Sequence, residues 1–329
     1  MTPDKVIITA ALTGSVHTPT MSPYLPLTPD QIVAEAVRSY EAGAAVAHIH
    51  VRDPGDGHPV ADPALFREVA TKISQRCPII TCITTGGGAQ HTIEQRIAAV
   101  RELQPELASL NAGSMNFATF PLSTKVSEFK YPWEKQALES TEDFVFSNTF
   151  KMMRSFLEVF EETQTKPELE VYDLGMVNNI GFHLRSGSLR PPVYVQFVLG
   201  ILGGASASLD NLTSLCREAR EVLGEFSWSV CAAGRHQMRM CTHALAMGGN
   251  VRVGLEDNVY LERGVLARSS ADQVSKIARI ARELGREPAT PDEARSMLAL
   301  RGKPTIARVD TQNALASDTT GEESVNKRI

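Results

Sequence analysis

The residues most able to do chemistry in this sequence are two histidines that alternate along one short apolar run. His48 and His50 lie two positions apart in the run VAHIHVR, residues 46–52. In a β-strand, residues i and i+2 point to the same face, so both imidazoles can bind one metal ion. A lone histidine on such a run more often belongs to the core, and the pair by itself leaves metal binding and a structural role about equally open.

A third candidate ligand lies far along the chain, in the run NVRVGLED at residues 250–257. The alternation of a strand places Arg252, Gly254 and Glu256 on one face. Glu256 would complete a two-histidine, one-glutamate site with open positions for substrate, a ligand set typical of catalytic zinc. The alternative is that Glu256 and Asp257 are surface charges at a strand end. Arg252 requires a charged partner or a ligand, because a guanidinium in an apolar strand is costly to bury alone.

Polar groups also end three further runs. The third run ends in TTGGG, residues 84–88, where glycines allow the backbone to approach a ligand closely and offer N–H groups to a carboxylate or phosphate. The fourth ends in SLNAGS, residues 109–114, and the fifth carries Glu168, Glu170 and Asp173. Random surface polarity does not readily place polar groups at one end of five runs.

These runs belong to a repeated alternation of short apolar segments with longer amphipathic ones. Eight rounds are present, and several helices open on predicted capping boxes, at Thr28, Thr92, Ser270 and Thr290. Eight strand–helix units predict a single (β/α)₈ barrel domain over residues 1–302. The alternative is an open doubly wound sheet, but the first strand–helix junction lacks the G-x-G-x-x-G of a dinucleotide-binding unit.

A barrel turns strand position into a functional test, because its reacting groups lie at the carboxyl ends of the strands. The histidine pair and Glu256 both lie at such ends, and strand eight closes on strand one, so Glu256 is two strands from the histidines. A long fourth βα connection, residues 117–147, is rich in aromatic residues and is expected to overhang this end as a lid or subunit contact. Residues 303–329 are predicted to be a partly disordered C-terminal extension.

The composition argues against several kinds of partner. The chain has 329 residues, a formal net charge of -5 and a pI near 5.9, so it lacks the basic surface that nucleic acid requires. The apolar runs are too short for a membrane span and the N-terminus lacks a cationic signal pattern, so we expect a cytoplasmic protein. The five cysteines match neither a zinc ribbon nor a disulfide scaffold and are expected to be mostly buried.

Taken together, the motifs resemble those of the β-keto acid cleavage enzyme family, over nearly the whole chain to about residue 300. The motifs that carry this resemblance are VIITAALTG, H-x-H-x-R, TTGGG, LNAGSMNF, PELEVYDLGM, QFVLGILGG, GRHQ and VRVGLEDN. Similarity to that family implies a zinc-dependent barrel, commonly a homotetramer. It also implies that a β-keto acid condenses with acetyl-CoA and that the product splits into acetoacetate and a new acyl-CoA.

The resemblance also implies roles for individual residues. His48, His50 and Glu256 resemble the ligands of one zinc ion per subunit. Arg252 and Asp257 resemble the pair that assists deprotonation of the keto acid. The chemistry fits, because a zinc ion that polarises the keto group lowers the pKa of the C2 protons, and a carboxylate beside it can act as the base.

Other positions imply how the substrate is held. Thr84, Gly87 and Ser109 match positions that hold the substrate, and Glu170 matches an acidic residue of the active site. One position departs from the family pattern. Some members carry an acidic residue that meets the ammonium group of an amino substrate, and this chain has Val16 there. An apolar group cannot pair with an amine, so Val16 predicts that an amino-substituted keto acid is not preferred.

Three other functions remain open on the sequence alone. An amidohydrolase-like hydrolase also uses an H-x-H strand, although it usually places the pair on the first strand and adds later histidines. A metal-dependent aldolase or lyase would need no CoA, and a non-catalytic binding barrel would hold no tight metal. His17, Arg235 and His236 lie near strand ends, where contact with a ligand and a structural role are equally open.

Overall fold

The computed structural model describes residues 4–87 and 91–302 of the 329-residue chain. Eight parallel strands in this part close into a barrel, in which each strand pairs with the next along the chain and the eighth pairs with the first. The (β/α)₈ barrel predicted from the sequence is therefore confirmed, and the open doubly wound alternative is wrong. Gly88 of the third run and the predicted extension at 303–329 lie outside the described residues.

The barrel strands are numbered β1 to β8 in chain order, and each overlaps one of the eight apolar runs. They are β1 Ile8–Ala11, β2 Val46–Ile49, β3 Ile80–Ile83, β4 Leu107–Asn111, β5 Lys166–Val171, β6 Val193–Leu199, β7 Phe226–Ala232 and β8 Asn250–Val253. Short strands pair outside the barrel: Asp4–Val6 with Arg286–Pro288, Val51–Arg52 with Pro59–Val60, Met115–Asn116 with Val145–Phe146, and Tyr260–Glu262 with Val265–Leu266.

Helices cover the outside of the barrel, which is why its strands are apolar on both faces. The α-helices of the described residues are α1 Pro29–Glu41, α2 Pro63–Ser74, α3 Ile93–Leu103, α4 Pro132–Glu139, α5 Phe150–Glu162, α6 Leu174–Arg185, α7 Leu209–Leu223, α8 Gln237–Ala246, α9 Ser270–Glu283 and α10 Pro291–Met297. Within the ranges that the structure describes, no helix combines the length and apolar character needed to cross a bilayer.

Side-chain caps set where these helices begin. The capping boxes predicted at Thr28 and Thr92 are present at the starts of α1 and α3. The prediction for α9 is wrong by one residue, because the N-cap is Ser269 and not Ser270. The buried Ser270 hydroxyl instead accepts a hydrogen bond from the backbone N of Leu255 at 3.2 Å, so it is committed to the loop after β8.

The two ends of the barrel differ in polarity. Val46, Ile80 and Leu107, which begin three neighbouring strands, form an apolar cluster inside the amino-terminal end. Helix α10, which begins after the predicted capping box at Thr290, closes this end: Ala294 of the helix and Leu298 at its C-cap pack against the cluster. Buried polar side chains follow further along the same strands, so the carboxyl end is the one able to hold reacting groups.

The long fourth connection has secondary structure of its own and is tied to the barrel mouth. Helix α4 lies in it, and Glu134 of α4 is fully buried. The Glu134 carboxylate accepts hydrogen bonds from the backbone N and the hydroxyl of Thr20, at 3.0 and 2.9 Å. Trp133 also donates its indole N–H to the carbonyl of Asp56 at 3.3 Å. The connection is therefore anchored to the loops after β1 and β2.

The seam between β8 and β1 depends on a glycine. Gly254 has a φ of +155°, and a Cβ at this position would lie 2.0 Å from the carbonyl oxygen of Ala11. The backbone N of Glu256 donates to that same carbonyl at 3.2 Å. Any side chain at position 254 would push the end of β8, and Glu256 with it, away from β1.

We expect Gly254→Ala to lower the free energy of unfolding by about 3 kcal/mol, because the clash is with backbone and no side-chain rotation relieves it. Gly248→Ala is the matched control: its φ is +83°, and a Cβ there meets nothing within 4 Å. That control should cost about 1 kcal/mol from backbone strain alone. Urea denaturation of both variants measures the difference, and equal losses would contradict the importance of the seam.

Candidate metal centre and active site

A deep cavity opens at the carboxyl ends of the barrel strands, with a volume of about 1640 Å³. Side chains from the strand ends form its floor. Its walls include the first βα loop, at residues 15–21, and much of the fourth connection, at residues 117–146. The fourth connection therefore lies where the sequence predicted it, while its action as a lid or subunit contact stays a prediction.

Three candidate metal ligands converge in this cavity. His48 lies on β2, His50 follows the end of that strand, and Glu256 lies in the turn after β8. The two Nε2 atoms are 3.2 Å apart. Oε1 of Glu256 is 3.6 Å from Nε2 of His48 and 3.4 Å from Nε2 of His50. The fold thus brings together the three residues that the sequence singled out as ligands.

The donor atoms fit a zinc ion in both spacing and charge. Zinc bonds of about 2.0 to 2.2 Å at tetrahedral angles place neighbouring ligand atoms about 3.3 to 3.6 Å apart. Burial holds the pKa of His48 well below its ordinary value, so its imidazole is neutral, as a metal ligand must be. Burial opposes ionisation of Glu256, but the pKa of this carboxyl group is held well below the ordinary range, chiefly by the Arg252 cation.

Two of these side chains also have a buried polar atom that no described residue satisfies, Nδ1 of His48 and Oε2 of Glu256. A second group of possible ligands, His48 with Cys82 and Glu168, lies entirely buried deeper in the barrel. Burial raises the pKa of Glu168 to about 8 and that of the Cys82 thiol well above its ordinary value. Both groups are therefore protonated near neutral pH, which favours the site with His50 and Glu256.

Arg252 connects the metal site to a cluster of acidic side chains. Its Nε and Nη2 donate to the two carboxylate oxygens of Asp257 at 3.0 and 2.9 Å, and Nη2 also donates to Oε1 of Glu256 at 2.6 Å. Its Nη1 donates to Oε1 of Gln196 at 3.0 Å and lies 3.5 Å from Oε1 of Glu170. The charged partners that the sequence required for this inward guanidinium are present.

Burial and the neighbouring charges together shift the pKa values of the side chains in this cluster. Burial favours a neutral guanidine, but the carboxylates of Asp257 and Glu256 outweigh it and hold the pKa of Arg252 well above its ordinary value. Burial raises the pKa of Asp257 to about 6, although the Arg252 cation opposes this rise. Asp257 is thus a carboxylate near neutral pH that is able to accept a proton.

Glu170 lines the cavity beside Arg252. Its Oε2 accepts hydrogen bonds from Nδ2 of Asn111 at 2.8 Å and from the hydroxyl of Tyr172 at 3.0 Å. Burial raises its pKa above the ordinary value. No individual role was predicted for Asn111, Tyr172 or Gln196. A signal was available for Gln196, the one polar side chain within the otherwise apolar central part of the run VYVQFVL.

The residues expected to hold substrate do not all reach the cavity. Thr84, Gly87 and Val16 line it. Ser109 is buried two residues before Asn111 on β4, and its carbonyl accepts a hydrogen bond from the Thr85 hydroxyl at 2.6 Å. Its predicted contact with substrate stays a prediction.

Several polar residues noted in the sequence have other positions. Asp173 is the N-cap of α6, where its side chain accepts a hydrogen bond from the backbone N of Met176. His17, Arg235 and His236 all line the cavity. His17 is also held by the protein, since its Nδ1 lies 2.9 Å from the carbonyl oxygen of Leu255.

Known proteins are similar to this chain along nearly its whole length. The sequence profile of the beta-keto acid cleavage enzyme family matches residues 5–300. A 3,5-dioxohexanoate:acetyl-CoA acetone transferase of Paraburkholderia graminis is 44% identical over 299 residues, which cover 91% of this chain and 96% of the relative. A 3-keto-5-aminohexanoate cleavage enzyme of Fusobacterium nucleatum is 37% identical over 299 residues, which cover 91% of this chain and 99% of the relative.

Solved structures share the barrel. The apo structure of ObcA is similar with a TM-score of 0.68 at 22% identity, covering 85% of this chain and 66% of that one. At this identity the likeness shows the fold alone. The match to the family profile, by contrast, covers the barrel and the segments that carry every residue of the candidate site. The chain therefore belongs to the beta-keto acid cleavage enzyme family.

Proposed function

We propose that this protein converts a 3-oxo acid and acetyl-CoA into acetoacetate and a new acyl-CoA, using one zinc ion held by His48, His50 and Glu256. The observation that carries the proposal is the convergence of these three ligand atoms beside the Arg252–Asp257 pair. The family to which the chain belongs, and the acetyl-CoA transferases among its relatives, support the reaction class.

The metal and the protein have separate tasks in this proposal. His48, His50 and Glu256 would hold the zinc ion, which would supply Lewis-acid stabilisation of negative charge on the substrate. Asp257 accepts a proton from C2 of the 3-oxo acid at one of its carboxylate oxygens. Arg252 holds that carboxylate in a fixed orientation through two hydrogen bonds, at 3.0 and 2.9 Å, and its charge keeps Asp257 and Glu256 ionised side by side.

The remaining steps conserve atoms and charge without an oxidant or water. C2 of the deprotonated substrate bonds to the carbonyl carbon of acetyl-CoA, and the CoA thiolate leaves. The thiolate then attacks C3 of the original acid, and the bond between C2 and C3 breaks. The acyl group leaves as a thioester, and Asp257 returns its proton to C2 of acetoacetate.

The size of the cavity supports a reaction between two substrates. Small-molecule sites usually occupy about 300 to 1,000 Å³, and this cavity reaches about 1640 Å³. A short keto acid beside the metal site leaves room for the reactive arm of a CoA thioester. We assign contacts with the keto acid to Thr84 and Gly87, which line the cavity, and a supporting role to Ser109, whose carbonyl accepts a hydrogen bond from the hydroxyl of Thr85. Glu170, held by hydrogen bonds from Asn111 and Tyr172, places a carboxyl group on the wall of the cavity.

The cellular setting is also part of the proposal. All five cysteines lie in the described ranges, and each is free and buried, as the composition predicts. Free cysteines are usual in a reducing compartment, which supports a cytoplasmic location.

Exposed Phe150 and Phe182 contact each other on α5 and α6, with ring centroids 5.2 Å apart. Such an apolar patch supports assembly into a homo-oligomer, for which we propose a tetramer.

We expect the purified protein to carry about one zinc ion per chain, as a single catalytic zinc site does. Glu256→Gln removes the anionic ligand and should weaken zinc binding at least about 100-fold, a larger loss than outer-shell changes usually cause. His236→Gln is the matched control, because His236 lines the same cavity outside the ligand set. Elemental analysis and competition with a chelator measure both. Zinc retained at full affinity by Glu256→Gln would contradict the proposed site.

With 3-oxohexanoate, we expect acetoacetate and butyryl-CoA in equal amounts, and only when acetyl-CoA is present. Asp257→Asn should lower kcat by about 10² to 10⁴, the usual contribution of a general base. Asp210→Asn, at an exposed position in the first turn of α7, should leave kcat unchanged. Product analysis by mass spectrometry decides the reaction. Cleavage of the keto acid without acetyl-CoA would instead identify an aldolase or lyase.

We propose that the substrate is a keto acid without an amino group, because the apolar Val16 offers the cavity no charge to pair with an ammonium group. The wild type should favour 3-oxohexanoate over 5-amino-3-oxohexanoate at least about 10-fold in kcat/KM, since an unpaired ammonium group is costly to desolvate. Val16→Glu should raise kcat/KM for the amino substrate, relative to the neutral one, about 10-fold. Val16→Gln introduces a side chain of the same size as Val16→Glu but without the charge, and it should not raise kcat/KM for the amino substrate. Steady-state kinetics test this, and faster wild-type turnover of the amino acid would overturn it.

A further inference from the structure

One buried arginine close to the candidate site has a cationic side chain that the proposed chemistry does not use. Arg52 follows the histidine pair by two residues, and its side chain is fully buried. Its five hydrogen bonds all go to neutral oxygens rather than to a carboxylate. Burying a cation in this way is costly unless its donors are satisfied, so the fold retains it for a specific set of contacts.

Those contacts are made to one short segment. Nη2 of Arg52 donates to the carbonyl oxygens of Thr13, Gly14 and His17, at 2.9, 2.8 and 2.8 Å. Nε donates to the hydroxyl of Thr13 at 2.7 Å, and Nη1 donates to the carbonyl of Gly57 at 2.9 Å. Three carbonyls of the first βα loop therefore point inward at one guanidinium, and the loop curves around it.

The first βα loop, held in this way by Arg52, contacts the turn that carries Glu256 and also lines the cavity. Gly14 has a φ of +59°, and a Cβ there would lie 2.2 Å from Cγ of Glu256, so the loop backbone lies directly against that ligand. Nδ1 of His17 lies 2.9 Å from the carbonyl of Leu255, the residue before Glu256. Between these two contacts, Val16 lines the cavity.

We propose that Arg52 is a positioning residue that shapes the first βα loop through the carbonyls of Thr13, Gly14 and His17. Arg52 thereby fixes the position of Val16 in the cavity and keeps the loop backbone at Gly14 packed against Glu256. The planar guanidinium is suited to this task because it directs several N–H donors at fixed angles, whereas a lysine ammonium is a point charge with three donors. The effect on substrate choice rests on the function proposed above, and the effect on loop order does not.

Substrate choice is tested by coupling between two positions. In the wild-type background, Val16→Ala should lower kcat/KM for 3-oxohexanoate about 5-fold. In an Arg52→Lys background, the same change should have less than about a 2-fold effect, because Val16 no longer has a fixed place and contacts that depend on each other are not additive. Arg52→Lys alone should raise KM more than it lowers kcat. Equal effects of Val16→Ala in both backgrounds would overturn this part of the inference.

Loop order is tested by hydrogen exchange, which needs no substrate. Amides of residues 12–21 should exchange at least about 10-fold faster in Arg52→Lys and in Arg52→Met, because local opening of this loop becomes easier. Arg286→Lys is the matched control. Arg286 is also buried and donates to the carbonyls of Leu245, Gly249 and Lys5, but at the other end of the barrel. It should lower the melting temperature and leave exchange in residues 12–21 unchanged.

The two measurements separate failure of the inference from failure of the proposed function. If the wild type turns over no 3-oxo acid with acetyl-CoA, the proposed function is wrong, and hydrogen exchange still decides whether Arg52 orders the loop. If residues 12–21 exchange at the wild-type rate in a folded Arg52→Lys protein, the inference is wrong whatever the activity. Faster exchange in that segment for Arg52→Lys, and not for Arg286→Lys, supports it.

Discussion

The buried guanidinium of Arg252 sets the charge balance on which the cavity depends. It contacts the carboxylates of Glu256 and Asp257 directly and lies close to Glu170. Burial raises the pKa of a carboxyl group and like charges raise it further, so three acidic side chains would not all ionise here without a cation among them. Deeper in the barrel, burial raises the pKa of Glu168 to about 8, although the charge of Arg252 opposes this rise.

The barrel explains how this balance is reached with residues from distant parts of the chain. All eight strands are parallel, so every strand delivers its last inward side chains to the same end. Gln196 comes from β6, Arg252 from β8 and His48 from β2. The opposite end is filled with apolar side chains and closed by α10, which excludes water from the base of the site.

The loops around the mouth are held by buried charged residues of a different kind. Arg52 donates hydrogen bonds to loop carbonyls, including that of Thr13. Glu134 accepts a hydrogen bond from the backbone N of Thr20. Because a charge is costly to bury, each fixes the segment that satisfies it. Residues of the strands and of the turns directly after them thus carry the proposed chemistry, while the longer loops, through Val16 and the fourth connection, shape the space for the variable part of a substrate.

The sequence by itself determined the eight strand–helix units and the inward direction of His48, His50 and Arg252, because alternation along a strand and helix capping are local properties of the chain. It did not predict that Gln196 would meet Arg252, which is 56 residues away, or that Ser270 would be used by a loop instead of a cap. Only the tertiary structure decided which inward side chains touch. Those contacts depend on strand register and on closure of the barrel, which no local pattern specifies.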